Sequence, residues 1–96
     1  MKRDDAITSL AGVKEELSRN FGMTHIALFG STARDAARQG SDVDILVTFD
    51  GPATSARYFG VQFYLEDLLG CPVDLVTEKA LRPELRPFVE REAVHV

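Results

Sequence analysis

The run His25-Ile26-Ala27-Leu28-Phe29-Gly30-Ser31, followed after Thr32 to Ser41 by Asp42-Val43-Asp44-Ile45-Leu46-Val47-Thr48-Phe49, decides the reading of this chain. His25 to Phe29 is short, apolar and stopped by a glycine. Val43 to Phe49 is rich in β-branched residues and stopped by Asp50-Gly51-Pro52. Both patterns predict strands. Between them, Thr32 to Arg38 is rich in Ala and Arg, which predicts a short helix ended near Gln39-Gly40.

Working outward, Ile7, Leu10, Val13 or Lys14, Leu17 and Phe21 recur at helical spacing. Asp4-Asp5 stand before them as candidate caps, and Gly22 follows as the stop. Downstream, Tyr58, Val61, Leu65 and Leu68 mark a third helix, closed by Gly70 and Pro72. Pro72 to Thr77 reads as a third strand with proline at its first position. Leu81 to Glu92 reads as a last helix that is either kinked or late-starting, because Pro87 removes an internal hydrogen bond. Helices alternating with strands predict an α/β (α+β) fold, a small mixed sheet covered by helices, most economically on one face.

At 96 residues the chain has room for one domain, residues 1–96. With 45% hydrophobic and 27% charged residues, it can build a small core, and disorder is not expected. A net charge of −4, without a Lys/Arg stripe, argues against direct nucleic-acid binding. The single cysteine, Cys71, excludes an internal disulfide framework and a Cys-based zinc site. No apolar run reaches spanning length, and Met1 to Asp5 turns acidic where a secretory leader would turn apolar. A cytoplasmic protein without membrane attachment is expected.

The chemistry concentrates around the first two strands. A Gly30-Ser31 turn that opens a helix presents free backbone N–H groups and the positive helix end, a setting for an anion. Glycine permits close approach of a phosphate, the Ser31 hydroxyl can donate to it, and Arg34 brings a guanidinium one turn later. Asp42 and Asp44, one residue apart, point to the same side of a strand, and two such charges call for a cation. Oxygen ligands of this kind suit Mg²⁺. Asp74 interrupts the apolar run Val73 to Val76, where a carboxylate is costly unless it meets a metal or a donor. If its strand neighbours the second strand, three carboxylates converge.

Singly, each feature has an ordinary reading: a capped turn, a turn aspartate, a solvated arginine, an edge-strand carboxylate. Jointly, with each residue type at ~5–7% usage, four fixed matches arise by chance on the order of once per thousand sequences.

From Gly30-Ser31-Thr32-Ala33-Arg34 through Ser41-Asp42-Val43-Asp44-Ile45-Leu46-Val47, the chain resembles the polymerase-β-type nucleotidyltransferase superfamily in its minimal single-domain (MNT) branch. The likeness extends through Pro72-Val73-Asp74-Leu75-Val76 to the tail, and it is strongest to the MntA-type antitoxins of HEPN/MNT pairs. The resemblance implies that Gly30 and Ser31 hold the triphosphate of ATP and that Asp42 and Asp44 bind two Mg²⁺. It implies that Asp74 completes the site as metal ligand or general base, and that Arg34 contacts phosphate or supports the turn. It also implies a partner: a HEPN-domain ribonuclease toxin, inactivated by transfer of AMP to a tyrosine.

Two other classes remain open at this point. One is a non-catalytic antitoxin acting by contact. The other is a small-molecule nucleotidyltransferase, for which the short chain offers no second domain to enclose an acceptor. His25 and His95 lack partners at metal or catalytic spacing and read as structural. Tyr58 and Tyr64 read as core and helix surface, and Arg82, Arg86 and Arg91 as a solvated helix face. Pro87 departs from the family's tail. Association with a larger partner or a second copy is expected, through apolar surface that so small a domain leaves uncovered.

Overall fold

A computed structural model describes residues 1–36 and 42–96. The first helix, α1 (Arg3–Phe21), buries Ala6, Leu10 and Leu17 along one stripe. Asp4 and Asp5 lie inside its first turn, where their charge complements the helix dipole. They are not the cap: that position is Lys2, which makes no side-chain hydrogen bond. Gly22 ends the helix in the left-handed region (φ 70°) and donates its N–H to the Ser18 carbonyl.

Four strands form one mixed sheet in the order β3-β2-β1-β4. β1 (Met23–Phe29) starts two residues before His25 and pairs antiparallel with β2 (Val43–Phe49), placing Ala27 opposite Leu46 and Phe29 opposite Asp44. β3 (Val73–Thr77) runs parallel to β2, with Asp44 opposite Asp74. That parallel pair needs a crossover, and α3 (Ser55–Leu69) supplies it. Thr54 caps α3 by accepting from the Arg57 N–H, and Gly70 closes it at φ 69°. Between β1 and β2 lies the single-turn helix α2 (Gly30–Ala33).

Strict alternation on β2 buries Val43, Ile45, Val47 and Phe49 and turns Asp44, Leu46 and Thr48 to the other face. The inward residues join Leu10 and Leu17 of α1 and Val61 and Leu65 of α3 in the main core. The two helices meet closely, because a Cβ on Gly60 would run into the Phe21 ring.

At the chain's end one expected alternative holds and one further element appears. A 3₁₀ turn (Glu78–Ala80) leads to α4 (Arg86–Glu92), which starts late and takes Pro87 into its first turn, where no N–H is needed. After it comes a short strand that the sequence did not announce, β4 (Val94–His95), placing His95 opposite Ala27 on β1. The helices also do not share one face. α4 flanks the outward face of β1 and β2, where Ala27, Leu81 and Val89 are buried apart from the main core.

Thr32 is wholly buried, and its Oγ1 has no hydrogen-bond partner among the described residues. An unpaired buried hydroxyl is a cost that an isosteric methyl avoids. Thr32→Val is therefore expected to raise stability by about 1 kcal/mol, seen as a higher urea midpoint with an unchanged m-value.

Candidate active site

β1 delivers the chain to Gly30, which takes φ +71°, a conformation that side chains disfavour. A second constraint acts on the same residue: a Cβ there would overlap the Asp44 carboxylate across the sheet. The glycine thus lets the turn and the acidic residue occupy adjoining space. The helix expected over Thr32–Arg38 is only Gly30–Ala33. The Ala36 N–H bonds the Ser31 carbonyl at 2.8 Å, and Asp35 lies in the left-handed region at φ 56°, which ends the helical path. The Asp35 side chain accepts from the Arg3 N–H at 3.1 Å. The expected helix end at Arg38 and Gln39-Gly40, and Ser41 of the motif, lie outside the described residues.

The parallel register of β2 and β3 brings Asp44 and Asp74 side by side on the outward face, close enough for their side chains to hydrogen-bond. Burial first, then the charge and hydrogen bond of Asp74, then the charge of Asp42, push the Asp44 carboxyl up to about 6, opposed by Arg34. Asp42 stands exposed just before β2, and its charge reaches Asp44. No group of three His, Cys, Asp or Glu side chains arranged to hold a metal occurs among the described residues. The pair of Asp44 and Asp74, with Asp42 beside it, is all oxygen and half open, and Arg34 offsets its charge only in part. That chemistry fits a hard divalent cation such as Mg²⁺ better than zinc.

The raised value sets a pH dependence without metal. The folded state holds the Asp44 proton more tightly than the unfolded chain, so the stabilising contribution is full below pH ~4 and is lost as pH rises through about 6. For so open a carboxylate, solvent screening reduces the effect to about 1 kcal/mol. Urea midpoints of the parent should fall relative to Asp44→Asn between pH 4 and 7. Magnesium should reverse that fall above pH 6.

Arg34 is half exposed, and its Nη1 donates to Glu92 Oε1 at 2.7 Å, tying the turn to the end of α4. Its guanidinium also lowers the Asp44 value, so it lies within electrostatic reach of the carboxylates. Both roles expected for Arg34 are compatible with that position. Glu92 was not visible as part of the site, because nothing in local spacing connects residues 34 and 92.

Residues 10–96 match the family model described as the nucleotidyltransferase domain. The chain belongs to the nucleotidyltransferase domain family. Among its relatives is the protein adenylyltransferase MntA of Thermococcus cleftensis, 41% identical over 87 residues, covering 91% of this chain and 88% of that one. A solved minimal nucleotidyltransferase superposes with a TM-score of 0.83 at 37% identity, covering 98% of this chain and 95% of the other. The nucleotidyltransferase fold is also shared with a chain in the solved complex of a tri-AMPylated Shewanella oneidensis HEPN toxin with its MNT antitoxin. There the TM-score is 0.67 at 21% identity, covering 94% of this chain and 70% of that chain. No helix among the described residues is long and apolar enough to cross a membrane.

Proposed function

We propose that this nucleotidyltransferase is an antitoxin that transfers AMP from ATP to a tyrosine of a cognate HEPN ribonuclease toxin and so neutralises it in the cytoplasm. The 96 residues act as one minimal catalytic domain. The observation that carries this reading is the in-register pair of Asp44 and Asp74 beside a Gly30 that leaves room for the carboxylate. The MntA relative, named a protein adenylyltransferase, supports the acceptor class.

In this reading Gly30 and Ser31 hold the triphosphate through backbone N–H groups and the Ser31 hydroxyl. Asp42 and Asp44 hold two Mg²⁺, and Asp74 completes the ligand set. Magnesium, when bound there, would supply the positive charge that the phosphates and the leaving pyrophosphate need. Arg34, steadied by Glu92, adds a guanidinium toward the same phosphates. The turn and the carboxylates together fix the α-phosphate for attack by the tyrosine oxygen.

The test is an intact mass of both proteins after incubation with ATP, Mg²⁺ and the HEPN partner. The partner should gain one or more AMP increments. A stable complex with no mass change would remove the enzymatic reading.

A further inference from the structure

Beyond Asp44 on the carboxylate face, a cavity of about 470 Å³ opens between β1, β2 and α4. Its floor is apolar: Ala27 and Leu46, opposite one another in the sheet, with Leu81 alongside. Its rim is polar. Glu78 accepts from Thr48 Oγ1 at 2.9 Å, and the Arg86 guanidinium reaches Glu78 at 3.4 Å and Glu90 at 3.5 Å. His25 and His95 also line it, and that size, with an apolar floor and a polar rim, is typical of a ligand pocket. The roles assigned above use none of these residues.

Position identifies the occupant. Asp44 and Leu46 are two residues apart on one strand and share a face, so about 7 Å separates them. Phe29, opposite Asp44, leads directly into Gly30-Ser31, whereas Ala27 is opposite Leu46. Along the sheet the order is therefore phosphate turn, carboxylates, pocket. In-line displacement places the entering oxygen opposite the leaving one. With pyrophosphate leaving over Gly30-Ser31, the entering oxygen arrives from the pocket side.

We infer that this pocket is the acceptor subsite, receiving a tyrosine side chain and its flanking backbone. The inference rests on the nucleotidyltransferase reading. The ring lies on Ala27 and Leu46 with its hydroxyl toward Asp44. The phenolic oxygen bonds to the α-phosphorus as the bond from that phosphorus to the α,β-bridging oxygen breaks. Pyrophosphate leaves with the bridging oxygen, and the phenolic proton passes to solvent. Two rim carboxylates against one guanidinium favour a tyrosine flanked by cationic residues.

The experiment uses an acetylated, amidated peptide carrying one tyrosine between two arginines, together with its phenylalanine version as a binding probe. Leu46→Trp fills the pocket, and Glu90→Arg reverses the rim charge at an exposed position. Both variants should keep the AMP-PNP Kd, measured with Mg²⁺ by calorimetry, within twofold of the parent. Both should raise the tyrosine peptide's KM, or the phenylalanine peptide's Kd, at least tenfold. In the parent, the phenylalanine peptide should shift the amide resonances of Leu46 and Thr48. A weakened nucleotide with unchanged peptide affinity would assign the pocket to the nucleoside and overturn the inference, as would no change in either. Absence of AMP-PNP binding to the parent would remove the nucleotidyltransferase reading itself, before any pocket variant is made.

Discussion

The Asp42→Asn/Asp44→Asn double variant is expected to lose AMP transfer by about a thousandfold or more, while resisting urea at pH 7 at least as well as the parent. The two halves of this result have one cause. Asp44 faces Asp74 in register and feels Asp42 as well, so without a cation the folded chain carries a concentration of like charge. Asparagine removes it. Stability should therefore stay level or rise, by about 1 kcal/mol at most for so open a site. Activity moves the other way, because in the proposed mechanism the same carboxylates anchor the positive charge that the phosphates require, a contribution of about 4 kcal/mol or more to the barrier. Each 1.36 kcal/mol is tenfold in rate, giving roughly three orders of magnitude. Urea unfolding and AMP incorporation into the partner, measured on one preparation, read both halves. A variant that stays folded, keeps its transfer rate and still neutralises the partner would exclude these carboxylates from the chemistry.

The strands were legible because their physics is local. Val43 to Phe49 is β-branched, and alternation alone sends Asp44 to one face and Ile45 to the other. Gly22 and Gly70 mark helix ends that the structure closes in the left-handed region. The meeting of Asp44 with Asp74 was legible only as a condition, since adjacency of β2 and β3 depends on how α3 crosses between them. Four other features had no local signal. Helix propensity in Ala- and Arg-rich sequence amounts to tenths of a kcal/mol per residue. After Ala33 that preference yields to a turn in which Asp35 adopts φ 56° and accepts from Arg3, 32 residues away in sequence. β4 has two residues, too few for a period to show. The Arg34–Glu92 pair and the pocket under α4 exist only because the tail returns to the outward face of β1.

Gly30→Ala is expected to cost about 3 kcal/mol of stability and most of the nucleotide affinity, a larger loss than alanine at Gly22 or Gly70, the other left-handed glycines among the described residues. Gly70 is the reference. Its φ of +69° nearly equals the +71° of Gly30, but a Cβ at Gly70 meets nothing within 4 Å, so Gly70→Ala reports backbone strain alone, about 1 kcal/mol. At Gly30 the same strain is joined by overlap with the Asp44 carboxylate, which can be relieved only by moving the carboxylate or spreading β1 from β2. Overall stability for a domain of this size is roughly 5–14 kcal/mol, so the Gly30 variant should still fold and can be measured by urea unfolding. Truncating the clashing side chain tests the cause. In an Asp44→Ala background, which removes the carboxylate but leaves its Cβ, Gly30→Ala should cost distinctly less than in the parent, giving a coupling of about 1 kcal/mol or more between two residues on adjacent strands. Equal costs at Gly30 and Gly70, with no coupling to Asp44, would mean that the glycine serves the turn and not the carboxylate. The reason for a glycine at the end of β1 would then be the bound phosphate alone.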